Sequence, residues 1–242
     1  MRHWLKDSSF RSLLKNSSYL AASRVVSAIC GVATLAFAGR GLGPVLFGLL
    51  VLIHSYAQLA SGLAKFQSWQ LVINYGAPAL QTDDLKPFHE SIGFALGLDI
   101  ASGVIGMVIA IAVLPWVGPW FHIPAEIIPY AMIYCILLPT MGAATPIGVL
   151  RALDRFDLVG WQSCVTPIMR SILALIAWAN DAQFLTYVAI WFVTDLSGDL
   201  FIWFLAWREL KRRGMMSGIR PILRPRILEG AWRFAINVNL AT

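Results

Sequence analysis

Arg24, Asp99, Arg170, Asp195 and Asp199 stand inside apolar stretches long enough to cross a bilayer. A charge at bilayer depth costs about 2.5–3.5 kcal/mol on insertion scales, so it faces a cavity, a partner or a substrate path. Two chemistries follow from these residue types. The guanidinium groups of Arg24 and Arg170 match phosphate oxygens in a bidentate fork. The carboxylates of Asp195 and Asp199, four residues apart with Ser197 and Gly198 between them, share one helix face. Such a pair suits H+ or Na+ coupling, or salt bridges that fix helix register. Cys30, Cys135 and Cys164 each lie alone in apolar surroundings, and the four histidines are scattered without metal-ligand spacing. No Walker motif, nucleophile elbow or HExxH occurs, so neither an enzyme nor a resident cofactor or metal is expected.

The elements that must position these charges are helices. The 242-residue chain is 58% hydrophobic and 13% charged, against about 25% charged in soluble domains. Its mean hydropathy is +0.68. Six apolar blocks reach the roughly 20 residues that a spanning helix needs: 17–38, 45–64, 91–114, 127–149, 157–179 and 184–207. The expected fold is therefore an all-α integral membrane lobe of six helices over residues 1–213. Gly39 to Pro44 (GRGLGP) should turn the first two blocks into a tight hairpin, because glycines end helices and Pro44 suits the next first turn. The same glycines lack the strand context of a nucleotide-binding loop. At 1.5 Å per residue two charge layers result: Arg24 with Asp99 and Asp199 roughly 10–13 Å from one boundary, and Arg170 with Asp195 at roughly 16–20 Å.

All of the Lys and Arg residues except Arg24, Arg40, Arg170 and Arg233 fall on one side if the N-terminus is cytoplasmic. That asymmetry argues for an N-in, multi-pass membrane protein. Lys65–Tyr75, with Phe66, Trp69, Val72 and Ile73 at helical spacing, reads as a short interfacial helix ended by Pro78. Residues 214–229 read as a basic cytoplasmic connector that also attracts membrane lipids. Residues 230–242 read as the start of a seventh helix, cut short, so a C-terminal lobe is expected as the missing partner.

Several stretches resemble a known family. Gly39–Gly48 (GRGLGPVLFG) is similar to the hairpin of bacterial polysaccharide flippases, which belong to the multidrug, oligosaccharidyl-lipid and polysaccharide exporter superfamily. Gly148–Asp157 (GVLRALDRFD) resembles that family's turn between helices four and five, and Trp232–Asn237 (WRFAIN) the opening of its seventh helix. Gly39 replaces the usual alanine.

The resemblance implies a carrier that turns an undecaprenyl-diphosphate-linked oligosaccharide between leaflets, for lipopolysaccharide or exopolysaccharide biosynthesis. It implies alternating access, with the polysaccharide polymerase machinery as a further partner and no nucleic acid. Arg24 and Arg170 would meet the diphosphate, Trp69 and Asn74 would border the entrance, and Asp99, Asp195 and Asp199 would couple an ion or balance the arginines. Two alternatives stay open: a multidrug exporter whose carboxylates take cationic drugs, and a non-transporting membrane scaffold.

Overall fold

The computed structural model describes residues 8–82 and 85–240, with side chains from residue 21 to 239. The expected basic residues Arg2 and Lys6, and the end of the last segment at residues 241–242, lie outside the described residues. Helices α1 (Ser8–Ala64), α2 (Ser68–Leu71), α3 (Ala77–Ala79), α4 (Leu85–Val117), α5 (Ile128–Cys135), α6 (Ala144–Ala152), α7 (Phe156–Ala179), α8 (Phe184–Arg212) and α9 (Ala231–Leu240) make up the fold. A π-turn, Val72–Gly76, joins α2 to α3. Among the described residues there is no strand.

Four stretches are long and apolar enough to cross a membrane: Ala21–Ala79, Leu85–Phe121, Phe156–Ala179 and Phe184–Arg212. The first, 59 residues, would reach about 88 Å if straight, roughly three times the hydrocarbon core. It is not straight. Gly43 adopts φ 70° and ψ 171° just before Pro44 and divides α1 into two arms. A left-handed φ is cheap only for glycine, and Pro44 restarts the helix where a missing N–H costs nothing.

The contacts fix the direction of each arm. In the first arm Ser27 donates to the Ser163 carbonyl and Phe37 stacks on Trp178 at 5.7 Å, so this arm runs alongside α7 in the same sense. Past the bend, Tyr56 donates to the Ala110 carbonyl at 2.7 Å, while Ala64 lies against Gly106, so the second arm runs antiparallel to α4. On α7 and α8, Gln162 reaches the Gly198 carbonyl at 3.2 Å and Arg170 reaches Thr194 at 3.1 Å, an antiparallel pair.

Two elements depart from what apolar length suggests. The block 127–149 is not one helix. α5 ends at Cys135, successive turns follow, Gly142 takes φ +71°, and α6 begins at Ala144. Pro139 lacks the N–H that would continue α5, and left-handed Gly142 redirects the chain. Nor does the stretch after Lys65 lie open at an interface. It is helical, but Ser68, Leu71 and Val72 are fully buried against protein, and the helix passes through Pro78 to Ala79.

The surface of the long helices is apolar. Ile29, Val32, Ile105, Val108, Ile172 and Leu200 are each more than half exposed. Apolar exposure along whole helices marks a lipid-facing surface. Trp116 and Trp120, about four-fifths exposed, stand at the end of α4 where an aromatic belt belongs. At the opposite end, buried Glu209 binds Arg155 at 2.7 Å and Arg213 at 2.9 Å, tying the α6–α7 turn to α8. Arg155 also pairs with Asp157 at 2.9 Å, and this hydrogen bond raises the guanidinium above its ordinary pKa.

Candidate functional site

The interruption between α5 and α6 leaves backbone groups without helical partners, and two charged side chains satisfy them. The Lys65 ammonium, just past the end of α1, donates to the Pro139 carbonyl at 3.0 Å and to the Met141 carbonyl. Asp99 of α4, 3% exposed, accepts from the Thr145 N–H at 3.0 Å, the Thr145 hydroxyl at 2.7 Å and the Ser68 hydroxyl. A cation therefore meets the carbonyl end of one helical piece and a carboxylate meets the N–H end of the next. Both follow the sign of the helix dipole. Gly103 of α4 permits this approach, because a Cβ there would lie 2.7 Å from Pro139 Cα. Asp199 of α8 stands beside the Thr140 hydroxyl and within electrostatic reach of Lys65.

A cavity of 390 Å³ opens beside this break, lined by Gln58, Ser61, Lys65, Gln67, Trp69 and Arg151 among others. Arg151, in the last turn of α6, lays its guanidinium over the Trp69 ring at 4.7 Å. The Trp69 indole N–H is held by Gln67 at 2.8 Å. Arg151 Nε is buried and has no hydrogen-bond partner among the described residues. The wall thus presents two cations and side-chain amides around a space of small-ligand size, where about 300–1,000 Å³ is usual. A guanidinium and an ammonium on one wall match the oxygens of a phosphate.

A second charged cluster lies deeper. Arg170 of α7 binds Asp195 of α8, donates to Thr194 and packs over the Trp191 ring at 5.1 Å. Asp195 also accepts from the Tyr134 hydroxyl, and His54 sits 3.4 Å away. His54 lies 3.0 Å from the Tyr134 oxygen. The Tyr134 proton goes to Asp195, so His54 Nδ1 donates to the Tyr134 oxygen. His54 Nε2 lies 3.5 Å from the Gln58 amide nitrogen, on the cavity wall.

The structure sorts the residues picked out in the sequence. Trp69 lines the cavity. Arg170 and Asp195 are joined to each other. Arg24 is exposed on the first arm of α1 and, among the described residues, has no carboxylate within 4.0 Å. The layer of Arg24 with Asp99 and Asp199 does not form as a contact, because Asp99 is turned to Ser68 and Thr145. Asn74 is exposed in the π-turn and outside the cavity lining. In the sequence, Lys65 and Arg151 read only as orienting charges. Their signal is position: each stands just past the end of an apolar block and carries a side chain able to reach back along it.

The family model for polysaccharide biosynthesis proteins matches residues 13–238, a stretch containing both arms of α1, the break and the cavity wall. Inner membrane protein YghQ of Escherichia coli (strain K12) is 39% identical over 243 residues, covering 100% of this chain and 68% of that protein. No solved structure matches the chain. With the match running through every element that builds the cavity, the chain belongs to the polysaccharide biosynthesis protein family.

Proposed function

We propose that the protein is a flippase for lipid-linked oligosaccharide of the undecaprenyl-diphosphate type, working in a bacterial inner membrane. The observation that carries this reading is the cationic cavity beside the broken helix, with Lys65 on its wall and the Arg151 guanidinium laid over Trp69. Family membership supplies the polysaccharide context, and the relative's name supports the inner membrane. Discontinuous helices line substrate sites in many transporters, because unpaired backbone is tolerated only beside protein or a cavity. A space of 390 Å³ takes the diphosphate and adjoining sugar and leaves the polyprenyl tail in the bilayer.

In this proposal the chain makes six passes with a cytoplasmic N-terminus. The bend at Gly43 gives two of them, and the α5–α6 pair gives one interrupted pass. Lys65 and Arg151 bind the diphosphate, and Trp69 and Gln67 shape the sugar side. Arg24, Arg170 and Asn74 are assigned no contact with the head group in this conformation. Asp199, with no cation within 4.0 Å among the described residues, is the carboxylate best placed to couple H+ or Na+. A carrier of cationic drugs is disfavoured, because such a ligand would meet Lys65 and Arg151 directly.

The test is surface-polysaccharide export in cells whose own copy is deleted. Lys65→Met and Arg151→Ala proteins, matched to wild type in membrane abundance, should export at least tenfold less. Wild-type export from both would refute the assignment.

A further inference from the structure

We infer that the connector between α8 and α9 forms, with the start of α4, a discrete binding site for the phosphate head group of an anionic phospholipid. The site does not depend on the flippase reading. It lies outside the Lys65–Arg151 cavity and shares no lining residue with it.

The connector is irregular but anchored. Ile222 N–H donates to the Gly93 carbonyl at 2.9 Å. Glu90 accepts from the backbone N–H of Arg226 and, at 2.9 Å, of Ile227. His89 holds the Met215 carbonyl at 3.0 Å, and Trp232 of α9 holds the Leu223 carbonyl at 2.9 Å. Two glycines make the seat: a Cβ at Gly93 or Gly97 would collide with the Arg220 and Ile222 carbonyls. Ile222 then packs against the cluster of Leu71, Phe94, Leu98 and Leu228.

This docking leaves an open surface cavity of 650 Å³ whose wall includes Lys86, Arg220, Arg224 and Arg226. The facing carboxylate, Glu90, already has its Oε1 committed to two backbone N–H groups. Among the described residues, no carboxylate lies within 4.0 Å of Arg220, Arg224 or Arg226. Arg220, Arg224 and Arg226 all border this one space, and guanidinium groups suit phosphate oxygens. Leu223 and Ile227 alternate with the arginines and are 47% and 51% exposed. A soluble phosphate has no use for those side chains. A phospholipid does, with its phosphate on the arginines and its acyl chains over Leu223 and Ile227.

The experiment titrates the detergent-purified full chain with phosphatidylglycerol or phosphatidylcholine and counts retained lipid by native mass spectrometry. Phosphatidylglycerol should be retained at least tenfold more than phosphatidylcholine. An Arg220→Gln/Arg224→Gln/Arg226→Gln protein should lose that preference. An Arg208→Gln/Lys211→Gln/Arg212→Gln protein, with the same charge removed from the nearby end of α8, should keep it. Gly93→Val, which blocks docking but leaves every arginine, should also lose it, and an unchanged thermal transition in the arginine variants keeps the comparison valid. Equal loss in both charge variants, or none in either, would overturn the site. Displacement of lipid by millimolar inorganic phosphate as effectively as by phosphatidylglycerol would overturn the lipid as its ligand.

Discussion

Lys65 does two things at once: its ammonium closes the carbonyl end of the broken helix and forms part of the cavity wall. Lys65→Met should therefore weaken both folding and substrate binding, whereas Arg151→Met should spare the fold and weaken binding alone. Thermal unfolding in detergent, compared with export, separates the two. Removing one charge-assisted hydrogen bond costs about 1.5–3 kcal/mol, roughly tenfold or more in affinity. Arg170 and Asp195 are joined to each other across α7 and α8. Each alanine variant should be destabilised, and a double-mutant cycle should show a coupling of about 2 kcal/mol. Additive effects would deny the pair. At this scale the sequence was half legible. Arg170 and Asp195 stood out because charges inside apolar blocks are conspicuous, and the structure joins them. Lys65 and Arg151 stood at block ends, where basic residues usually orient a chain, so their inward reach was hidden. The partners of Asp99 were hidden for a related reason. Thr145 offers an N–H only because the helix breaks before it.

The broken pass between α5 and α6 is the element on which the cavity depends. Gly142 sits at φ +71°, where a side chain costs about 1–2 kcal/mol. Gly142→Ala should lower the unfolding free energy by that amount, and an unchanged unfolding free energy would mean the break does not need glycine. A second tie holds the other end of the molecule together. Glu209→Gln weakens links to Arg155 and Arg213 in a side chain only 4% exposed, so a loss of about 3 kcal/mol is expected in the same measurement. Helix extents were readable where apolar runs were uninterrupted: Phe156–Ala179 and Phe184–Arg212 begin within a residue of the expected blocks. The turn at Gly43 and Pro44 was readable because both residues have one strong conformational use. The break was not, since an apolar run of spanning length looks alike whether or not Pro139 and Gly142 interrupt it.

The whole molecule is a bundle with lipid-facing apolar sides, a Trp-bearing end and a basic end. Its orientation is testable in a background where Cys30, Cys135 and Cys164 are replaced. Glu126→Cys should react with an impermeant maleimide from outside intact cells, and Ser217→Cys only after lysis. The reverse pattern would invert the proposed topology. Class and family were legible at this scale, because composition pointed to a membrane and three short motifs in order pointed to the family whose model spans residues 13–238. The cavity was not, because it is made by side chains from α1, α2 and α6 meeting across gaps that sequence spacing does not encode. The most direct measurement is equilibrium binding of a labelled undecaprenyl-diphosphate-linked sugar to the protein in nanodiscs. For Lys65→Met/Arg151→Met the Kd should rise at least tenfold, while Arg24→Gln should change it less than twofold. An unaltered Kd in the double variant would contradict the placement of the diphosphate in this cavity.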